Sequence, residues 1–140
     1  MKVNCKLCFK GVQPTGKSFI VTEKQVKEWV AKDNKNQKVL KLFSMGFNLV
    51  KNPQGQPDRW IINFNNMTLE NASDYKLPFT QIQATLPIER ENNRNPRLKK
   101  YWWKYESNAF EMRQKLEKLS LYFVIPRVSK WAIFIPASPQ

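Results

Sequence analysis

RWIINF, residues 59–64, sets two β-branched isoleucines between a tryptophan and a phenylalanine. Side chains of this kind suit a pleated, half-buried surface, so the run is predicted to be a strand. Upstream of it, TEKQVKEWVAKDNKNQKVLKLF (22–43) opens on Thr22 as a helix N-cap, and Val26, Trp29 and Val30 recur at helical spacing. This predicts a helix over 23–32, ended by KDNKNQ. Another helical turn or two is expected over 36–43, with Val39, Leu40 and Phe43 as the buried side. MGFNLVKNPQGQPDRW then supplies Gly46, Pro53, Gly55 and Pro57 to a loop that leads into the strand. Nearer the start, residues 3–9 alternate weakly, and GVQPTGKSFIV groups Gly11, Pro14 and Gly16 around a turn before Phe19 and Ile20. That region reads as strand, loop, strand.

Downstream, the sequence predicts a helix over 78–92 with a kink or an earlier stop at Pro87, which cannot donate a helical hydrogen bond. ERENNRNPR is polar, with nearly balanced charge. Ser107 is placed to cap a helix over 108–119, with Phe110, Met112, Leu116 and Leu119 roughly on one side. LYFVIPRVSKWAIFIP, two apolar runs broken by PRVSK, reads as a hairpin or two strands of a sheet. Strands and helices do not alternate regularly enough for a parallel βαβ sheet. The expected class is α+β: a single domain with short helices packed on a mixed or mostly antiparallel sheet.

Composition supports a folded chain. With 140 residues, 41% of them hydrophobic and 13% aromatic, it can bury roughly two-thirds of its unfolded surface without a metal or disulfide staple. A net charge of +13 costs the compact state self-repulsion, which points to an acidic partner. Nucleic acid leads, with an anionic membrane surface as the rival. No run approaches about 18 consecutive apolar residues, and MKVNCKLCFKG lacks a signal-peptide core, so a cytoplasmic protein without a membrane partner is expected.

The catalytic inventory is thin. The absence of histidine excludes imidazole acid-base work and the usual serine or cysteine triads. Neither GxxxxGK(S/T) nor GxGxxG occurs, and PTGK lacks the earlier glycine of a phosphate loop. The carboxylates are scattered; no E-x-K follows Asp58, so the paired acids that hold a nuclease metal are missing. Cys5 and Cys8 form a lone CxxC with no second pair and no histidine, too few ligands for a structural zinc site. No catalytic residue, metal or cofactor is assigned to this chain.

Two stretches resemble one family. Gly11, Thr15, Gly16 and Phe19, followed by Gly46 and Leu49, resemble the opening of the target-recognition domain of adenine-specific DNA methyltransferases. Leu42 stands where that family usually has proline, and Asn48 where it has aspartate. Arg59, Trp60, Phe64, Trp102, Trp103, Tyr105 and the RVSK at 127–130 resemble the pattern of type IIG restriction-modification proteins. Together they cover nearly the whole chain and suggest a TaqI-like specificity domain. The resemblance implies that the 140 residues are a recognition segment of a longer protein. That parent would use S-adenosylmethionine, methylate adenine at N6 and possess, in some members, a nuclease. Its Asn/Asp-Pro-Pro-Tyr/Phe methyl-transfer motif is not in this sequence.

The implied partners are double-stranded DNA and the methyltransferase domain of the same parent chain. Lysine and arginine would grip phosphate, while a few side chains read base edges. Candidate readers sit in two turns: Gln13, Thr15 and Lys17 in the first, Arg127, Ser129 and Lys130 in PRVSK. Thr15 has the alternative of shaping its turn, and Arg127 that of pairing with a carboxylate inside the fold. Arg94, Arg97, Lys99 and Lys100 form a basic run with no acid after Glu91, suited to tracking the DNA backbone or to a solvated face. In KKYWWKYES (99–107) at least one of Trp102 and Trp103, together with Tyr105, is expected to pack under the following helix, leaving Lys99, Lys100 and Lys104 to face phosphate. Two other functional classes stay open. One is a protein-interaction or scaffold module docking the methyltransferase core; the other is an RNA-binding domain, although the aromatic signature of the commonest such fold is missing.

Overall fold

The computed structural model describes residues 7–51 and 57–138. The predicted strand lies at the centre of the main sheet. Strand β1 (Ile20–Val21) and strand β2 (Leu40–Phe43) flank strand β3 (Arg59–Ile62), both antiparallel to it. Ile20 and Leu42 stand opposite Ile61 and Trp60, and Leu40 opposite Ile62. Ile61 and Ile62 are both buried, as expected for a central strand covered on two faces.

Helix α1 (Glu23–Lys32) follows β1 with the predicted boundaries. Thr22 and Gln25 form a reciprocal capping box: the Thr22 hydroxyl accepts from the Gln25 amide at 3.3 Å, and the Gln25 side-chain oxygen accepts from the Thr22 amide at 3.0 Å. Val26 is buried, with Trp29 and Val30 against the core.

The segment after α1 departs from expectation. Residues 36–43 are not a second helix: a 3-10 turn (Asn34–Val39) leads into β2. The Asp33 carboxylate accepts from the Lys35 amide, and the Asn36 side chain donates to the Trp29 carbonyl. These bonds turn the chain, and the edge of β3 supplies ladder partners that a one-turn helix would lack. Val39 and Leu40 are buried as expected, whereas Phe43 is half-buried. The loop expected over 45–58 contains helix α2 (Gly46–Lys51), whose first turn is steadied by the Met45 amide donating to the Asn48 side chain at 2.8 Å. Pro53 and Gly55 lie outside the described residues, as do residues 3–6 of the first expected strand and Cys5. Cys8 is exposed.

The region expected as one helix over 78–92 is two, α4 (Lys76–Gln83) and α5 (Leu86–Glu91), with the short helices α3 (Leu69–Ser73) before them and α6 (Pro96–Lys100) after them. Pro87 lacks an amide proton, so α4 ends before it and α5 restarts with the proline in its first turn. Asn95 caps α6 by accepting from the Arg97 amide at 3.0 Å, which makes a helix of part of the basic run for which the sequence gives no secondary structure. Helix α7 (Phe110–Leu116) is shorter than the expected 108–119 and is not capped by Ser107. The Ser107 backbone pairs instead with Gln13, and the chain enters α7 through Ala109 at φ 48°. The final apolar runs form an antiparallel pair, strand β4 (Tyr122–Val124) and strand β5 (Ile135–Ala137).

The architecture is therefore α+β, with a core of Phe19, Val21, Val39, Ile61, Ile62, Phe64, Ile82, Leu86 and Tyr105 between the main sheet and the short helices. Among the described residues, no helix is long and apolar enough to cross a membrane.

Candidate nucleic-acid interface

Phe79, Ile82 and Leu86 repeat along one side of α4 and α5, and the next position on that side is Arg90. Its side chain is only 3% exposed. A buried guanidinium must find acceptors, since an unpaired charge there would be severely penalised. Arg90 donates from one terminal nitrogen to the Trp102 and Lys104 carbonyls at 2.8 and 2.6 Å. From the other it donates to the Pro14 and Thr15 carbonyls at 2.9 and 2.8 Å. Phe19 lies beneath it, its ring centre 5.5 Å from the guanidinium carbon. Burial lowers the guanidinium's proton affinity while Glu89 and Glu106 push it back up. It remains a cation, as arginine does throughout the ordinary pH range.

This clamp joins two segments distant in sequence. Around it, Gln13 and Ser107 exchange backbone hydrogen bonds at 2.9 and 3.2 Å. The Thr15 hydroxyl donates to Glu106 at 2.5 Å, and Thr15 itself holds φ 50°, a left-handed conformation that side chains tolerate only when surrounding bonds impose it. Arg97 donates to the Glu106 and Tyr105 carbonyls at 2.9 and 3.3 Å. A cleft of about 450 Å³ opens beside the Gln13–Ser107 bridge, its walls including Lys10, Asn66, Arg97 and Asn108.

The rings of the KKYWWKYES segment are divided by burial. Tyr105 is buried and its hydroxyl donates to the Ile62 carbonyl at 2.6 Å, tying the segment to the central strand. Burial pushes that phenol far above its ordinary range, against a smaller opposing pull from Arg113. The Trp103 ring nitrogen donates to the Met67 carbonyl at 3.0 Å, and the half-buried Trp102 packs at 5.5 Å from Phe79. Tyr101 is exposed. The anchoring is as expected, but the cover is not the following helix. No residue of α7 is fully buried, and the rings pack on Phe19, Phe79 and their neighbours because α4 and α5 carry the continuous apolar stripe.

The candidate contact residues fall into groups. Gln13 is half-buried, Lys17 is exposed, and neither side chain has a hydrogen bond or ion pair among the described residues. Thr15 spends its hydroxyl on Glu106, and Arg97 spends its guanidinium on two carbonyls, so both shape the frame. Lys104 bends onto the Asn66 carbonyl at 3.3 Å and over the Tyr101 and Trp103 rings. Arg94, Lys99 and Lys100 are exposed on and before α6 with no ion pair among the described residues; Lys100 rests 5.5 Å from the Tyr101 ring centre. Arg127, Ser129 and Lys130 are exposed in the loop between β4 and β5. That loop lies against α2, and the Ser129 hydroxyl turns back to the Trp131 carbonyl.

Arg90 was not among the residues singled out from sequence, because ERENNRNPR reads as balanced surface charge. The available signal was its place four residues beyond Leu86 on an apolar helix stripe. Among the described residues, no group of His, Cys, Asp and Glu could hold a metal ion. No family model matches the chain, and neither a curated protein nor a solved structure is significantly similar to it.

Proposed function

We propose that this chain is a sequence-specific double-stranded DNA recognition module that positions DNA for adenine N6 methylation by other domains of a parent protein. The parent would bind S-adenosylmethionine, act in the cytoplasm and, in the manner of type IIG proteins, could couple recognition to cleavage. The chain itself contributes binding and no catalysis. A methyltransferase that extrudes its target base needs a separate rigid element to hold the duplex and read neighbouring pairs. The observation that carries this reading is the Arg90 clamp: four carbonyls from two distant segments converge on one guanidinium. It makes one unit of the turn bearing Gln13 and Lys17 and the segment that follows basic helix α6. Around it Arg94, Lys99 and Lys100 are free to meet phosphate, and Gln13 and Lys17 are free to meet base edges.

The test is duplex binding of wild type and an Arg94→Ala, Lys99→Ala, Lys100→Ala triple variant across a salt series. Loss of three phosphate contacts should weaken all duplex sequences alike and flatten the log–log salt slope by about 2.7. An unchanged slope, or no low-salt duplex binding by the folded wild type, refutes the assignment.

A further inference from the structure

The PRVSK loop, none of whose side chains is among those assigned to DNA above, lies against α2. Phe47 and Val50 of α2 face Val128, Trp131 and Ile133 across a groove of about 360 Å³. Gly46 forms its floor near Pro126, where a Cβ would stand 3.7 Å from the proline ring. The walls are apolar yet open: Phe47 is 59% exposed, Trp131 69% and Val128 87%. On the same ribbon Phe123 and Phe134 pack edge to face while both remain exposed. A two-stranded ribbon with this much uncovered apolar surface is marginal by itself, and a contiguous patch of this kind marks an interaction surface.

Charge identifies the occupant. Residues 40–51 and 118–138 contain five cations, Lys41, Lys51, Lys118, Arg127 and Lys130, and no aspartate or glutamate. Two of these sit at the groove edge over its own rings, Lys51 at 4.6 Å from the Phe47 ring centre and Lys130 at 5.3 Å from that of Trp131. A second copy of the chain would bring the same positive face. A duplex would satisfy the cations but leave the groove empty. A bilayer would meet the cations and the outermost rings but leave the space between α2 and the loop unfilled. We infer that this groove docks an acidic protein segment, one whose apolar side chains fill the space between α2 and the loop while its carboxylates meet Lys51, Arg127 and Lys130. Such docking is a second activity of the chain, separable from its DNA reading.

The test is selection of a random 12-residue peptide display library on the wild-type chain. It is followed by affinity measurement of the enriched peptides against Val128→Asp and Trp131→Ala. Both positions are exposed, and circular dichroism melts identify whichever variant keeps the fold. Enriched peptides should combine Asp or Glu with Leu, Ile or Phe, and bind the folded variant at least about tenfold more weakly, as expected for loss of a central contact. The same variant should bind duplex DNA within about twofold of wild type, a change too small to mark a lost contact. Four results overturn the inference: no enrichment; enriched peptides without net negative charge; equal affinity for wild type and variant; or phosphatidylserine vesicles bound in preference to the peptides. A parallel loss of duplex binding in Val128→Asp also overturns it by assigning the groove to DNA. Failure of the triple variant to alter duplex binding would leave the peptide result untouched, so the two readings fail separately.

Discussion

Replacing Arg90 with methionine keeps the length and apolar body of the side chain but removes all four donated hydrogen bonds. The carbonyls of Pro14, Thr15, Trp102 and Lys104 then lose a charged donor in a site where Arg90 is 3% exposed. Hydrogen bonds to charged groups contribute about 1.5–3 kcal/mol each, but the four share one side chain and are not additive. A buried acceptor left without its donor costs about 1–3 kcal/mol, and with four carbonyls sharing the loss we expect about 3–5 kcal/mol in all. That is a large part of the roughly 5–15 kcal/mol that holds an average domain together. With a urea m-value of about 1.5 kcal/mol/M, the midpoint followed by tryptophan fluorescence should fall by about 2–3 M without a change in m. Arg90→Lys should recover little of the loss, because one ammonium cannot span carbonyls on two segments. Arg94→Met, at an exposed position, should stay within about 0.5 kcal/mol of wild type. A loss below about 1 kcal/mol for Arg90→Met would refute the clamp as the tie between the two segments.

Trp103→Phe removes the donor to the Met67 carbonyl and should cost about 1–2 kcal/mol by urea titration, whereas Tyr101→Phe at the exposed ring should be near neutral; equal effects would count against the anchoring role. Gly16→Ala should destabilise by about 1–3 kcal/mol, since the new methyl would stand 2.5 Å from Leu86 Cδ2. The penalty should shrink in a Leu86→Ala background, and a strictly additive double variant would contradict steric coupling. The Tyr105 phenol, raised by burial, keeps its proton in the folded state where the unfolded chain releases it. Its contribution is therefore present below about pH 10 and declines above that, by up to about 1.4 kcal/mol per pH unit. Wild type should consequently lose stability relative to Tyr105→Phe as pH rises through that window, and a pH-independent difference between them would be inconsistent with this.

Local signals were legible where they act within a few residues. The Thr22 N-cap and the spacing of Val26, Trp29 and Val30 defined α1, the β-branched pair in RWIINF marked β3, Pro87 divided α4 from α5, and two apolar runs became β4 and β5. From these the α+β class followed without any knowledge of contacts. The separation of buried rings from exposed Lys99 and Lys100 was visible too, because tryptophan and tyrosine offer more area to a core than a lysine head can surrender to one.

What remained hidden depended on partners far along the chain. Residues 40–43 became a strand because β3 offered an open edge, a fact absent from their own helical spacing. Ser107 looked like a helix cap until its backbone was claimed by Gln13, and Arg97 looked free until the Glu106 and Tyr105 carbonyls came within its reach. Arg90 is the extreme case: two of its four acceptors lie 75 and 76 residues away, so the composition around it could only read as balanced surface charge. The sequence by itself determined which segments curl or extend and how much apolar surface they must hide. Tertiary structure alone decided which cations serve the frame and which are left for a partner, because a charge is committed only when the fold closes acceptors around it.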